Sequence, residues 1–250
     1  RNGIFWVYET EYRTEEIASI KNAATIGKTK GIPEITANIE SKNLFPLLRG
    51  QGVKPFNATP DSDLRIIVPQ RGMHGDPDLA INSPLTFKFL NKFKEQLQNR
   101  SSLKRFQKGQ PFYSLWSTGE YTFAPFKVLW REIGKSFAAA YVGGSSICSG
   151  TEKTVIPDHK LYFIPVETEE EAAYLAGFLN APMISNAVSA YASQLSLGVS
   201  VADYLNIPKF DAENRYMKII SELAIEISSR TGDASDAEFY RLDELVGKLL

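Results

Sequence analysis

Residues 111–135 read PFYSLWSTGEYTFAPFKVLWREIGK, and the fold turns on how this stretch is read. It holds two of the three tryptophans, with two tyrosines, three phenylalanines and three basic residues. Tyr121, Phe123, Phe126, Val128 and Trp130 alternate with smaller or polar residues, broken at Ala124 and Pro125. A period of two predicts a strand. A proline in it suits an edge or a bulge, because it has no N–H for the ladder. Lys127, Leu129 and Arg131 fall on the opposite face, so one face is aromatic and the other carries two cations. Two readings follow. One is a core strand with solvated cations. The other is a basic ledge beside aromatic rings, suited to a phosphate backbone or an extruded base.

The elements around it alternate in type. Residues 3–8 (GIFWVY), 32–39 (IPEITANI), 64–69 (LRIIVP) and 161–166 (LYFIPV) read as extended. A helix is expected over 14–26, where Glu15 and Glu16 suit a first turn and Ile17, Ile20, Ala23 and Ala24 recur at helical spacing. Residues 84–100 (PLTFKFLNKFKEQLQNR) predict one long helix, with Ser83 as cap, Pro84 in the first turn and Leu85, Phe89, Phe93 and Leu97 as its buried stripe. Thr168 to Glu171 reads as a capping box opening a helix to Leu179. A further helix starts near Met183 and runs to Leu195. The chain closes with two helices, one after Asp211 and one after the capping box Ser235 to Glu238. The expected class is α+β: a mixed, largely antiparallel sheet flanked by helices, with a helical C-terminal subdomain. Residues 1–210 form the α+β domain in this reading, and residues 211–250 a helical hairpin packed on it.

With 250 residues and 43% hydrophobic content, the chain supports one large core or two smaller ones. No uncharged apolar run approaches the ~20 residues of a membrane span. One cysteine, Cys148, makes no internal disulfide, which fits a reducing cytoplasm. The chain opens on Arg1 and its first methionine is Met73, so it reads as a piece of a longer polypeptide. The net charge of −1 hides a division. Residues 42–135 hold fifteen Lys or Arg against seven Asp or Glu, and the remainder thirteen against twenty-two. A basic middle on an acidic body is compatible with a face for a polyanion. Glu95 is the only acid between Pro84 and Gln110, a span holding Lys88, Lys92, Lys94, Arg100, Lys104, Arg105 and Lys108. A solvated helix face normally mixes signs, so this run points to phosphate contacts.

Several chemistries are absent from the sequence. Two histidines and one cysteine make no ligand-spaced zinc cluster. There is no dinucleotide fingerprint, no phosphate-binding Lys-Ser/Thr loop and no nucleophile elbow. Asp61 with Asp158 and Lys160 has the residue types of a metal nuclease, but the two parts lie nearly a hundred residues apart. No catalytic residue and no metal site is assigned.

Seven segments, in order, resemble one family: NLFPLLRG with VKPF (43–56), PLTFKFL (84–90), PFYSLW (111–116), PFKVLWR (125–131), YLAGFLNAP (174–182), LNIPKF (205–210) and RLDELV (241–246). They are similar to the C-terminal target-recognition region of adenine-specific DNA methyltransferases. These are the type IIG restriction–modification enzymes, their TaqI-like relatives and related phage-defence methylases. The resemblance implies a domain that docks on double-stranded DNA and selects the sequence to be methylated. It places S-adenosylmethionine and the Asn-Pro-Pro-Tyr-type catalytic motif in an N-terminal methyltransferase domain of the same polypeptide. No such motif stands in these 250 residues, and no cofactor is expected here.

Charge and resemblance together nominate Arg49, Lys54, Lys88, Lys104, Arg105, Lys127 and Arg131 for phosphate. Arg71, His74, Ser145 and Ser146 lie in polar loops where base-reading side chains belong. The other class that stays open is a protein-interaction or scaffold domain of a fused nuclease–methylase.

Overall fold

The computed structural model describes residues 2–12, 14–26, 32–132, 136–146, 150–192, 205–230 and 232–250. The class is α+β, with largely antiparallel sheets and helices closing the chain. The chain divides into two compact units, each assembled from three stretches of sequence.

The first unit comprises Arg1–Leu47, Asp61–Phe123 and Ser145–Ile156. Its six-stranded sheet runs, edge to edge, Ile156–Pro157, Leu44–Leu48, Leu64–Ile67, Trp6–Tyr12, Ile17–Asn22, Thr36–Glu40. Trp6–Tyr12 pairs antiparallel with both neighbours, and its register to Ile17–Asn22 slips between Glu9 and Glu11, a bulge. Ile4, Val7, Ile20, Ile39, Leu44 and Ile67 form one core with Phe89, Leu90, Phe93 and Leu97 from the helices.

Two helical expectations fail here. The span expected as a helix over 14–26 holds the strand Ile17–Asn22. Its i, i+3 apolar spacing matches a helix by coincidence, because the strand is covered on both faces: Ala18, Ser19, Ile20 and Asn22 are all buried. The Asn22 side chain fixes the strand end, donating to the Gly3 and Pro33 carbonyls and accepting from the Ile35 N–H. The expected long helix over 84–100 is two, Pro84–Asn91 and Lys94–Gln98, parted at Lys92 and Phe93 without a glycine or proline. Phe89, Phe93 and Leu97 are buried as expected, while Leu85 is exposed. Ser83 does not cap through its side chain. Glu40, arriving from the sheet edge, accepts from the Leu85 and Thr86 N–H groups and from the Thr86 hydroxyl. Burial opposes its charge, but these hydrogen bonds outweigh it, and its pKa lies below the ordinary value.

The second unit comprises Leu48–Pro60, Ala124–Gly144 and Pro157–Leu250. Its five-stranded sheet has the order Leu161–Val166, Phe126–Arg131, Ala139–Val142, Phe56–Ala58, Val53–Lys54. Only the Ala139–Val142 to Phe56–Ala58 pairing is parallel among those described. Val128 and Trp130 enter a core with Ala172, Tyr174, Phe178, Ile220, Ala224 and Leu242. The helices are Glu169–Asn180, Pro182–Ala192, Arg215–Ser229 and Asp236–Gly247. Local signals place them well. Thr168 accepts from the Glu171 N–H, and Ser235 with Glu238 makes the full reciprocal box. Asn214 rather than Asp211 caps Arg215–Ser229. The helix expected to reach Leu195 is described to Ala192, and residues 193–195 lie outside the described residues. The closing helices pack with Glu169–Asn180 inside this unit.

The stretch that opened the reading behaves differently in its two halves. Phe126–Arg131 is a strand, as its alternation requires. Tyr121 and Phe123 are not: Glu120–Phe123 is a 3₁₀ turn. Residues 43–56 hold the strand Leu44–Leu48, a 3₁₀ turn at Gly50–Gly52 and the strand Val53–Lys54.

Candidate nucleic-acid interface

The nominated cations separate by burial. Lys127 departs from the expectation that it faces solvent. It is 1% exposed, its ammonium donates to the Ala124 carbonyl at 2.8 Å, and burial holds its pKa down to about 8. A strand covered on both faces draws its lysine inward, so Lys127 serves the fold and offers nothing to a phosphate backbone. Arg131 is half-buried, its stem about 3.5 Å from where a Cβ on Gly50 would stand. The glycine turn is filled by the protein itself. A Cβ on Gly52 would meet the Thr59 carbonyl oxygen at 2.2 Å, and the Thr59 N–H donates back to the Gly52 carbonyl. Its glycines therefore allow backbone to approach backbone, rather than a ligand. Arg49 is half-buried beside this turn, and Lys54 is exposed.

In the first unit, Lys88, Lys92, Lys94, Lys104, Arg105 and Lys108 are all exposed, as a solvent-facing basic run requires. Lys104 reaches the Asn99 side chain at 2.9 Å. Arg100, within the same run, is buried. Its guanidinium donates to the carbonyls of Leu97, Phe112 and Ser114 at 2.7–3.0 Å and lies over the Phe5 ring. Burial pulls its pKa down to about 10.

Arg100 thereby fixes the backbone of residues 112–114, which is the seat of a hairpin. Gln70–Arg71 pairs antiparallel with His74–Gly75, with Gly72 at the turn in the left-handed region, φ +64. The base of the hairpin is bolted down. The Gly75 N–H donates to the Ser114 hydroxyl, the Tyr113 hydroxyl to the Asp76 carbonyl, and Gln70 exchanges two hydrogen bonds with Leu115. Burial and the charges of Asp76 and Asp78 raise the Tyr113 pKa, which keeps it a donor. Gln107 donates to the carbonyls of Leu115 and Met73, tying the tip to the end of the helix Ser101–Phe106.

Around that tip lies a surface the alternation pattern did not reveal. Met73 is 63% exposed, Phe106 55%, Trp116 51% and Tyr121 41%. The rings of Phe106 and Trp116 are stacked, with centroids 4.4 Å apart and planes at 21°. A Cβ on Gly119 would stand 2.8 Å from the Tyr121 ring and 3.7 Å from the Met73 side chain. Arg71 and His74 are exposed on the same hairpin, with Arg71 reaching Asp78 at 3.1 Å and Asp76 at 3.6 Å. Lys104 and Arg105 occupy the last turn of the helix that ends in Phe106. The aromatic-plus-basic ledge of the first reading thus has a counterpart on residues 104–116 and the hairpin. Exposure is what sequence hides: nothing in PFYSLW distinguishes the buried Tyr113 from the exposed Trp116 except the polar residues that follow it.

Ser145 is half-buried in the strand Gly144–Ser146, which pairs with Glu152–Thr154, where a polar loop was expected. The Ser146 side chain and Cys148 lie outside the described residues. Among the described residues, no His, Cys, Asp or Glu cluster is placed to hold a metal ion. Asp158 instead engages His159, and that hydrogen bond raises the His159 pKa. Among the described residues, no helix is long and apolar enough to cross a membrane.

No family model matches the chain. Over 174 residues, 67% of its length, the chain is 31% identical to the type II methyltransferase M.NspV of Nostoc sp.. The match covers 34% of that protein, so the chain spans about a third of the curated relative. It is a distant homologue of a type II methyltransferase.

Proposed function

We propose, from that homology to a type II methyltransferase, that this chain is the DNA-recognition part of a site-specific adenine-N6 methyltransferase of a restriction–modification system. It docks on double-stranded DNA and selects the target. An N-terminal domain of the same polypeptide binds S-adenosylmethionine and transfers the methyl group in the cytoplasm. The observation that carries this reading is the hairpin tip with Arg71 and His74 exposed, tied through Gln107 to the end of the helix that presents Lys104 and Arg105. Cations of this kind hold phosphates without regard to sequence, and a projecting hairpin supplies side chains for a groove. The relative's name supports the methyltransferase setting, and a match confined to a third of its length supports a recognition part beside a separate catalytic part. The lack of an Asn-Pro-Pro-Tyr motif in these residues supports the same division.

A docking role for another protein draws on Tyr240, 69% exposed, and on Met183, whose N–H donates to Asp243, one helical turn beyond Tyr240. The test uses the full-length enzyme. Genomic DNA methylated by Arg71→Ala, Lys104→Ala and Arg105→Ala variants is sequenced, and DNA affinity is followed against salt. Loss of Lys104 or Arg105 should weaken binding to all sequences alike, and loss of Arg71 should relax the methylated motif. An unchanged motif and an unchanged salt dependence in all three would leave the protein-docking reading ahead.

A further inference from the structure

The Phe106–Trp116 pair needs its own explanation. Two large rings lie face to face at the surface, each about half exposed, in a unit whose other large aromatic groups mostly find a core. Trp6 is buried in that core, and Trp130 in the core of the second unit, so Trp116 is the tryptophan of this chain that meets solvent. The rings are not loose. Phe106 closes the helix Ser101–Phe106, and Gln107 after it is anchored to the Leu115 carbonyl at 2.7 Å, next to Trp116. Arg100 holds residues 112–114 from below. The pair is a pre-ordered aromatic face, and Lys104 and Arg105 belong to the last turn of the same short helix as Phe106.

We infer that the Phe106–Trp116 face stacks against a nucleobase that has left its own stack. This deepens the DNA-recognition reading and rests on it. The argument is one of shape and charge. A paired base inside a duplex offers a groove its edge, while its two faces are covered by neighbours. Only an unstacked base presents a face, and an aromatic side chain is the usual surface that receives one. A methyltransferase that acts on an extruded base creates such unstacking in its own DNA. The adjoining cations match the phosphates that accompany any base, and no acid lies between Glu95 and Glu120 to repel them. Met73 and Tyr121, both exposed, meet beside Gly119 on the same unit.

The experiment uses the full-length enzyme and two duplexes equal in length and charge, one fully paired and one with a single unpaired thymine. Affinity is read by fluorescence anisotropy of labelled DNA, and stacking by quenching of tryptophan emission. The expected result is tighter binding of the unpaired-base duplex, with quenching that disappears in Trp116→Ala. That variant should lose about tenfold on the unpaired-base duplex and little on the paired one. Trp116→Phe should keep the preference, because a phenyl ring still offers a face. Phe106→Ala, checked for folding by circular dichroism, provides an independent second variant and should lose the preference too. Equal binding of both duplexes by wild type and Trp116→Ala, with salt dependence intact, overturns the stacking inference and leaves DNA recognition standing. Absence of salt-dependent DNA binding overturns both. A concentration-dependent dimer abolished by Trp116→Ala, without quenching by DNA, assigns the face to a second copy of the chain instead.

Discussion

The strand Phe126–Arg131 and the segment from Arg100 to Trp116 are made of the same two materials, aromatic rings and cations, and use them in opposite ways. In the strand, Trp130 goes into the core and Lys127 goes with it, ammonium held by a backbone carbonyl. In the segment, Trp116 stands outside with Phe106, and Lys104, Arg105 and Lys108 are exposed to solvent. Arg100 marks the border. It sits five positions from Arg105 and is spent on three carbonyl oxygens. The difference teaches that a count of cations measures charge, not availability. A buried cation is a backbone clamp whose removal strands its acceptors, while an exposed one contributes to the field and little to the fold.

Arg100→Ala should break that comparison most visibly. It removes three charge-assisted hydrogen bonds from buried carbonyls and the contact with Phe5, at a cost of about 3 kcal/mol or more. Chemical denaturation should show it, and iodide quenching should report a less ordered surround for Trp116. A cost under about 0.5 kcal/mol would place Arg100 with its exposed neighbours.

Lys127 sharpens the comparison through pH. Its folded pKa, about 8, lies below the ordinary lysine value of 10.5. Below the lower value the ammonium is charged in both states and its burial cost is constant. Between the two values the folded chain has released the proton while the unfolded chain has not, so stability rises with pH across that window and levels above it. The rise is on the order of 1–3 kcal/mol. Lys153, also lowered to about 8 by burial, acts with the same sign. The measurement is therefore the difference between wild type and Lys127→Met over a pH series, and a flat difference would return Lys127 to the surface class.

Arg105→Ala is the smallest of the three. Its effect on stability should stay within about 0.5 kcal/mol. Its effect on DNA should appear as a loss of about one unit in the slope of log affinity against log salt. A stability loss as large as that of Arg100→Ala would erase the distinction between the two arginines.

Much of the architecture was legible because it is written locally. Thr168 and Ser235 cap their helices from adjacent sequence, and the alternation in PFKVLWR gives its strand. The misreadings share a cause of another kind. Ile17–Asn22 is a strand because two neighbours pair with it, and the helix at Pro84 starts where a carboxylate 45 residues away in sequence reaches its first N–H groups. Residues 126–131 were ambiguous between core and ledge because period two says which residues share a face and not whether that face is covered. The candidate surface was half legible. Lys104, Arg105, Arg71 and His74 stand out by charge and glycine spacing, but Met73, Phe106, Trp116 and Tyr121 are ordinary core residue types until their exposure is known.

The hairpin also has a meaning for how such a surface is changed. A Cβ on Gly72 would meet nothing within 4 Å, and its positive φ asks only for a glycine-tolerant turn. Gly75 has no such freedom, since a Cβ there would meet Tyr113 and Ser114 at 2.7–2.8 Å. Position 75 is a socket and positions 71, 73 and 74 are a removable bit. Swapping the bit leaves the socket, its hydrogen bonds and the core beneath untouched, so new surface chemistry can be tried there without renegotiating the fold.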